Sequence, residues 1–198
     1  MLPFSAACER NKDPILGVLR ARFAAAARVL EIGSGTGQHA VHFARSLPHL
    51  IWHPTEQLAY LQDLTERVKL EGSPNLRAPT LLDVRQVVWP VRAVDAAFTA
   101  NTLHIMSWQE VMAAFLGIGT ALAAGGVLCV YGPFRYGGRY TSDSNREFDL
   151  MLQERDPQSG LRDIQAITAL AEQYGLRLDC DHDLPANNRL LVFAKEPG

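Results

Sequence analysis

The most constraining feature of this chain is the ten-residue stretch at positions 29–38, which reads VLEIGSGTGQ. An apolar run that contains Glu31 is followed by three glycines at alternate positions, Gly33, Gly35 and Gly37. A segment with a helical pattern begins directly after them. Glycine allows positive φ angles and lets a ligand approach the backbone closely. The stretch therefore predicts a buried strand, a tight glycine turn and a helix N-terminus, with a ligand site at the turn.

The spacing of the glycines separates two cofactor classes. The dinucleotide fingerprint G-x-G-x-x-G requires glycine at position 38, where this chain has Gln38. The spacing found here, E-x-G-x-G-x-G, resembles the first motif of class I S-adenosylmethionine (SAM)-dependent methyltransferases. That resemblance implies SAM as the cofactor, bound by Glu31, the three glycines and Ser34, and it implies methyl transfer as the chemistry.

Bulk composition limits the partners that the chain is expected to have. The 198 residues are 47% apolar and 20% charged, which is typical of a soluble globular domain with a full core. The net charge of −2 gives no overall attraction for nucleic acid or an anionic membrane. No apolar run approaches the ~20 residues of a membrane span, and the N-terminus does not read as a signal peptide. The three scattered cysteines fit a reducing, cytoplasmic location without disulfides or structural zinc.

Short apolar runs alternate with helical stretches, a pattern that predicts a parallel sheet covered by helices on both faces. The predicted strands are Arg28–Ile32, Leu50–Pro54, Arg77–Leu82, Val94–Thr99, Val127–Tyr131, Leu176–Asp181 and Arg189–Ala194. The predicted helices are Asp13–Ala24, Gln38–Leu47, Gln57–Glu71, Trp108–Ala123, Ser144–Arg155 and Ile164–Tyr174. Gly125-Gly126 and Gly175 are expected to end two of these helices. Because only a loop separates the last two strands, we expect them to pair antiparallel.

Acidic residues close the first three predicted strands, at the edge where doubly wound sheets bind ligands. In the resembling family, Glu31 helps to organise the glycine loop near the amino end of the methionine moiety; the alternative is a turn carboxylate. Glu56 offers a carboxylate to both ribose hydroxyls, or it is an exposed acid favoured by the helix dipole. In methyltransferases an acid at the position of Asp83 commonly accepts from the adenine amine, whereas the alternative is an Asx-turn.

The loop after the fourth strand contains two polar side chains in apolar surroundings, Asn101 and His104. In the resembling fold this loop passes under the methionine part of SAM and faces the acceptor, so His104 is either a base or a satisfied core histidine. The loop does not read N-P-P-Y, the clamp with which amino-methylating enzymes hold a flipped base. The glycine-rich and aromatic segment Tyr131–Tyr140 is expected to be a mobile cover whose arginines attract an acidic substrate, or a solvated loop.

Further segments, spread over nearly the whole chain, resemble one family. They are Pro3-Phe4-Ser5, Glu9–Lys12, Pro14–Leu16, Asn101, His104-Ile105, Tyr131–Phe134, Thr141–Asn145, Phe148-Asp149, Arg155–Pro157, Gly160–Asp163 and Pro185–Asn188. With the glycine stretch, they resemble the family catalogued as domain of unknown function 938, also called methyltransferase-like protein 26. The resemblance implies a Rossmann-like, doubly wound α/β fold with a seven-stranded sheet that is mostly parallel and has an antiparallel last strand. It also implies a single domain over residues 1–198, with a helical N-terminal segment at 1–25 and an inserted loop and helix at 132–163 that cover the site.

Resemblance and polarity together give candidate residues on the acceptor side. His104 and Asp149 are candidate bases, which are needed only if the acceptor is a hydroxyl or thiol. The candidate substrate ligands are Glu9, Asn11, Tyr131, Asn145 and Asn187. We expect Asn11, His104, Asn145 and Asn187 to face one cavity beside the SAM methyl. No cluster of histidine, cysteine and acidic residues has the spacing of a metal site.

Three functions remain open at this point. The first is a SAM-dependent methyltransferase that acts on an unidentified small polar molecule by in-line transfer. The second is a SAM-binding protein without catalysis that works through partners. The third, an NAD-dependent oxidoreductase, is disfavoured by Gln38. No nucleic-acid or membrane partner is expected, and the sequence determines neither the acceptor nor the oligomeric state.

Overall fold

The computed structural model describes residues 2–197 of the chain. The helices in this part are α1 (Ala6–Arg22), α2 (Gln38–Ser46), α3 (Leu58–Glu71), α4 (Trp108–Ala121), α5 (Asp143–Arg155) and α6 (Ile164–Glu172). The strands are β1 (Arg28–Ile32), β2 (Ile51–Glu56), β3 (Thr80–Leu81), β4 (Val94–Ala100), β5 (Leu122–Gly132), β6 (Phe134–Tyr136), β7 (Arg139–Tyr140), β8 (Arg162–Asp163), β9 (Leu176–Leu184) and β10 (Asn188–Lys195).

Seven of the strands form one sheet in the order β3-β2-β1-β4-β5-β10-β9. Neighbours from β3 to β5 pair in parallel, whereas β10 pairs antiparallel with both β5 and β9. The predicted fold class is therefore confirmed, including the antiparallel last strand. The strand order reverses between β1 and β4, so the ends of these two strands border the crevice in which doubly wound sheets bind ligands.

Alternate residues of the central strands enter two separate apolar cores. In β1, Leu30 and Ile32 belong to the core under α4 and α6, while Val29 belongs to the core under α1 and α2. Trp52 and Phe98 fill the second core, with their ring centroids 6.1 Å apart. Helices consequently cover both faces of the sheet. The end of β1 is fixed between β2 and β4, with which it pairs.

The first helix begins earlier than predicted. It starts at Ala6 rather than at Asp13, because the Ser5 hydroxyl caps it by accepting a hydrogen bond from the N–H of Cys8 at 3.3 Å. The helix then continues through Pro14, a residue that more often marks a first turn. The early start brings the residues just before and after Cys8 to the carboxyl edge of the sheet.

Two other boundaries differ from the prediction. Gly125 does not cap α4, which ends at Ala121; it lies within β5 at a φ of +73°. The third strand is reduced to Thr80–Leu81, at the edge of the sheet. Gly175 lies in the turn after α6 at a φ of +71°, close to its predicted place.

The segment after β5 is a second, small sheet rather than an open loop. Its strand order is β7-β6-β8. The guanidinium of Arg135 lies 5.9 Å from the ring centroid of Tyr140, and the Tyr136 hydroxyl donates to Asp181 of β9 at 2.7 Å. These contacts hold Arg135, Tyr136 and Tyr140, three of the side chains expected to cover a pocket, against other parts of the protein.

Two side chains attach the N-terminal segment to the glycine loop. The Gln38 amide bonds the Ser5 backbone twice, accepting from its N–H at 2.6 Å and donating to its carbonyl at 3.3 Å. The buried guanidinium of Arg67 in α3 donates to the carbonyls of Pro3 and Thr36 at 2.6 and 2.5 Å. Gln38, the residue in place of a dinucleotide-binding glycine, therefore holds the start of α1.

Replacing Arg67 by Met should destabilise the fold by about 1–3 kcal/mol, because two partly buried carbonyl groups lose their donor. Urea unfolding of the wild-type and variant proteins measures the difference. Arg45→Met is the matched control, since Arg45 donates to the Glu71 carbonyl at an exposed position and should cost about 0.5 kcal/mol or less. Equal losses in the two variants would show that the Arg67 attachment adds nothing.

Candidate active site

Two cavities of about 650 and 670 Å³ lie side by side at the carboxyl ends of β1 and β4. The first cavity is also bordered by the end of β2, by Leu82 and by Val84. The second is bordered by α1, the loop after β4 and the turn between β9 and β10. Both are lined by Gly33, Gly35, Thr36, Ala100, Asn101 and Ile105. A molecule in the first cavity would therefore lie next to a molecule in the second.

The glycines of the loop at 33–37 serve different contacts. A Cβ on Gly33 would lie 2.8 Å from Thr102, and a Cβ on Gly37 would lie 2.7 Å from Leu64. Gly35 has a φ of +53°, and a Cβ there would meet no atom within 4 Å. The outer two glycines thus permit close packing of the protein on itself, whereas Gly35 leaves open the space shared by the two cavities.

Glu56 lines the first cavity and also holds the glycine loop. Its carboxylate accepts from the N–H groups of Gly35 at 2.6 Å and Gln57 at 2.7 Å. Burial raises the pKa of Glu56, and these two donors partly oppose that shift. The carboxylate therefore lies where a hydroxyl-bearing ligand in the first cavity would meet it, with one of its oxygens already fixed by the loop.

Asp83 does not line either cavity. Its carboxylate accepts from the Arg85 backbone N–H at 3.0 Å and from the Arg85 guanidinium at 2.6 Å, and the guanidinium lowers its pKa. This is the Asx-turn geometry that was the alternative to an adenine contact. The neighbouring side chains Leu82 and Val84 face the first cavity instead.

Glu31 is buried behind the loop rather than exposed to a cavity. Its carboxyl group accepts from the Trp52 indole N–H at 2.8 Å and is 2% exposed. Burial raises the pKa of Glu31 to about 7, against the opposing effect of the Trp52 hydrogen bond. Glu31 therefore bonds β2 and lines neither cavity, whereas Ser34 does line the second cavity.

The second cavity contains two buried imidazoles. His39 in α2 and His104 after β4 both line it. Burial lowers the pKa of each to about 4, so both rings are neutral near pH 7. The Nε2 of His39 lies 2.7 Å from the Asn11 side-chain oxygen. Phe148 packs edge-on against His104, with centroids 5.2 Å apart.

The four residues expected to face one cavity separate into two pairs. Asn11 and His104 line the second cavity, together with Tyr131 and Asn101. Asn145 and Asn187 do not: the amide of Asn145 donates to Thr141 at 2.8 Å and to the Asn187 carbonyl at 3.0 Å. The amide therefore holds the turn between β9 and β10, and the expected position of this second pair is corrected.

Glu9 and Asp149 are also placed differently from the prediction. Glu9 is exposed and bonds Lys12 and Gln38, outside both cavities. Asp149 is completely buried, and its two oxygens accept from the Tyr140 hydroxyl and the Leu161 N–H, each at 2.6 Å. Asp149 lines neither cavity, so it is corrected from a candidate base to an acceptor of hydrogen bonds within the protein.

Sequence reasoning missed several residues that line the second cavity. They are Ser5, Cys8, Arg10, His39, Phe148 and Asn188. For Ser5 and Cys8 the sequence did contain a signal, which is that serine is a favoured N-cap residue. A helix capped by Ser5 puts Cys8 and Asn11 on one face, because they are three residues apart. The contact of His39 with Asn11 joins separate elements and has no local signal.

Metal ligands and membrane spans were also sought within residues 2–197. No three or more histidine, cysteine and acidic side chains there are grouped so as to bind a metal ion. No helix in that range combines the length and apolarity needed to cross a bilayer. The three cysteines, all within that range, are free, and Cys129 is fully buried in the core.

The buried Glu31 carboxyl should make stability depend on pH. Because its pKa rises from 4.5 to about 7 on folding, its contribution is complete below about pH 4.5 and is lost as the pH rises through about 7. Glu31→Gln keeps an acceptor for Trp52 without ionising. The free energy of unfolding of the Glu31→Gln variant, relative to that of the wild-type protein, should therefore increase by about 3 kcal/mol from pH 4.5 to pH 8. Urea titrations at several pH values measure this, and a difference that stays constant with pH would contradict it.

Solved methyltransferases share the fold of this chain. The mitomycin 7-O-methyltransferase aligns with 94% of this chain and 54% of its own, at 20% identity and a TM-score of 0.78. An O-methyltransferase family protein from Burkholderia thailandensis aligns with 97% of this chain and 58% of its own, at 16% identity and a TM-score of 0.82. Human N-acetylserotonin methyltransferase, solved with SAM, aligns with 96% of this chain and 53% of its own, at 14% identity and a TM-score of 0.80. At these identities the likeness shows the fold alone, and this chain spans a little over half the length of each of the three.

A sequence family gives the more specific match. The profile of the family described as "Protein of unknown function (DUF938)" matches residues 2–195. Its span includes the glycine loop, α1, α5 and the turn between β9 and β10, so it covers every element that borders the two cavities. The chain therefore belongs to the DUF938 family and has the fold of the class I SAM-dependent methyltransferases.

Proposed function

We propose that this protein is a SAM-dependent methyltransferase that transfers a methyl group in line to a small polar molecule. The wall shared by the two cavities, which includes Gly35 and Asn101, is the observation that supports the proposal most. In-line transfer requires the reacting atoms to be held about 3–3.5 Å apart in a fixed orientation. Two neighbouring cavities of similar size can hold a cofactor and an acceptor in that relation.

The first cavity suits the nucleoside end of SAM. Glu56 offers a carboxylate oxygen to the ribose hydroxyls. Apolar surface for the adenine base comes from Leu82, Val84 and Met106. Asp63 and Glu110 also line this cavity, so its formal charges are acidic and suit a positively charged cofactor. When bound, SAM supplies an electrophilic methyl group on its sulfonium, and we assign Asn101, which lines both cavities, to its methionine part.

The second cavity suits the acceptor. Among the described residues that line it, Arg10 alone has a formal charge at neutral pH, so a neutral or anionic molecule is favoured over a cation. His104 is neutral near pH 7 and is our candidate for the base that takes the proton of an acceptor hydroxyl. Asn11, His39 and Tyr131 offer further hydrogen-bonding groups to orient such a molecule.

We also propose that the 1–198 chain forms one domain in which two segments cover the acceptor. The start of α1 lines the second cavity through Ser5, Cys8 and Asn11, and α5 lines it through Phe148. Both segments lie outside the seven-stranded sheet. Covering of this kind excludes water from a reaction between a cationic cofactor and a polar acceptor.

Gly35→Ala should weaken SAM binding about tenfold or more, because the added Cβ projects into space that the ligand would occupy. Gly125→Ala is the matched control: its φ is +73°, a Cβ there also meets no atom within 4 Å, and it lies at the opposite end of the sheet. Both variants bear a similar backbone strain of about 1–2 kcal/mol, but only the first should lose SAM affinity. Calorimetry with SAM and with NAD measures this, and tight NAD binding without SAM binding would refute the proposal.

His104→Ala should lower methyl transfer about 100-fold if the acceptor loses a proton in the reaction. The assay uses SAM labelled on the methyl group and the low-mass fraction of a cell extract, with labelled small molecules separated by chromatography. Wild-type activity should fall as the pH drops toward about 4, where His104 becomes protonated. SAM binding without any labelled acceptor would favour the non-catalytic alternative.

A further inference from the structure

The loop at residues 101–106, which contains His104, is held from behind by the segment at residues 159–162. Four successive carbonyl groups of the loop each accept a hydrogen bond from that segment. The Leu103 and Met106 carbonyls accept from the Arg162 guanidinium, the first at 3.0 Å. The His104 carbonyl accepts from the Gly160 N–H at 2.9 Å, and the Ile105 carbonyl accepts from the Ser159 hydroxyl at 2.8 Å.

This loop forms part of both cavities. Thr102 and Met106 line the first cavity, His104 lines the second, and Asn101 and Ile105 line both. A shift of the loop would therefore change the shape of the cofactor cavity and the position of the candidate base together. Its own turn bonds are few: the N–H groups of Ile105 and Met106 both donate to the Thr102 carbonyl, at 3.0 and 3.3 Å.

Asp149 fixes the segment that holds the loop. One of its oxygens accepts from the Leu161 N–H, in the middle of residues 159–162, and the other accepts from the Tyr140 hydroxyl. The adjacent residue Phe148 packs edge-on against the His104 ring. Helix α5 consequently supports His104 twice, through the ring by Phe148 and through the backbone by Asp149.

We propose that Asp149 and Arg162 are positioning residues, which hold the 101–106 loop so that the cofactor cavity and the His104 ring keep their relative placement. The role in methyl transfer rests on the function proposed above. The holding of the loop is a separate property of the chain and is tested without any acceptor.

The pKa of His104 makes the proposal testable. Loss of the Asp149 charge and release of the loop would change this pKa in opposite directions. The Asp149 charge raises the pKa of His104 and the Arg162 charge lowers it. Loss of the Asp149 charge alone would thus lower the pKa further. Release of the loop would instead expose the ring and move its pKa up toward the ordinary 6.5.

The experiment compares Asp149→Ala, Asp149→Asn and Arg162→Met with a control, Asp163→Ala. Asp163 adjoins the holding segment, but its carboxylate accepts from Gly138 and Gln165, away from the loop. Asp149→Asn keeps an oxygen for Leu161 and removes only the charge. Three quantities are measured by NMR and calorimetry: amide hydrogen exchange of Ile105, Met106 and Gly160, the titration of the His104 ring, and the affinity for S-adenosylhomocysteine.

We expect Asp149→Ala and Arg162→Met to speed exchange at these amides about tenfold and to weaken S-adenosylhomocysteine binding by a similar factor. Asp149→Ala should raise the pKa of His104, whereas Asp149→Asn and Asp163→Ala should not, and both should keep exchange close to wild type. If Asp149→Ala does not fold, the amide exchange rates and the S-adenosylhomocysteine affinity of Arg162→Met test the proposal alone.

Unchanged amide exchange in Arg162→Met, or a lowered pKa of His104 in Asp149→Ala, would overturn the proposal. Failure of the wild-type protein to bind S-adenosylhomocysteine would instead refute the proposed cofactor, while exchange and titration would still decide whether the loop is held.

Discussion

The close approach of the glycine loop to the loop after β4 sets the geometry of the whole candidate site. Gly33 packs so tightly on Thr102 that a single added carbon would lie 2.8 Å from it. The loop is fixed from the other side by β2, because the N–H of Ser34 donates to the Thr55 carbonyl at 3.0 Å and the N–H of Gly35 donates to Glu56 at 2.6 Å. Held in this way between β2 and the loop after β4, the glycine loop lines both cavities, which lie next to each other.

Burial, rather than ion pairing, controls the charge of the groups around this wall. Glu31 and Glu56, near the first cavity, have pKa values raised by burial. His39 and His104, in the second, have pKa values lowered by burial. Each shift favours the neutral form, because a charge removed from water without a partner is costly. The result is neutral imidazoles in the second cavity and, beside the first, carboxyl groups whose ionisation burial disfavours.

Elements added to the central sheet complete the site and hold it in place. Gln38 and Arg67 attach the start of α1 beside the glycine loop, so the N-terminal residues become part of the second cavity. The insertion after β5 acts through α5 and residues 159–162, which contact the 101–106 loop from outside the cavities. Several polar residues of these elements, Asp149 and Asn145 among them, therefore have backbone partners and line neither cavity.

The sequence by itself determined the parallel sheet, the antiparallel last pair and the glycine turn, because these depend on local periodicity and on conformations that only glycine adopts easily. It also placed Glu56, Asn101 and His104 at the edge of the sheet where the two cavities lie, because residues at or after the carboxyl ends of parallel strands gather at one edge, although Asp83 at the same edge lines neither cavity. Which polar side chains face a ligand was decided only by the tertiary structure. Asn11 and Asn145 are alike in type and are both buried, yet one bonds His39 in a cavity and the other bonds a distant turn. A buried polar group must find a partner, but whether that partner is backbone, side chain or ligand depends on elements far apart in the chain.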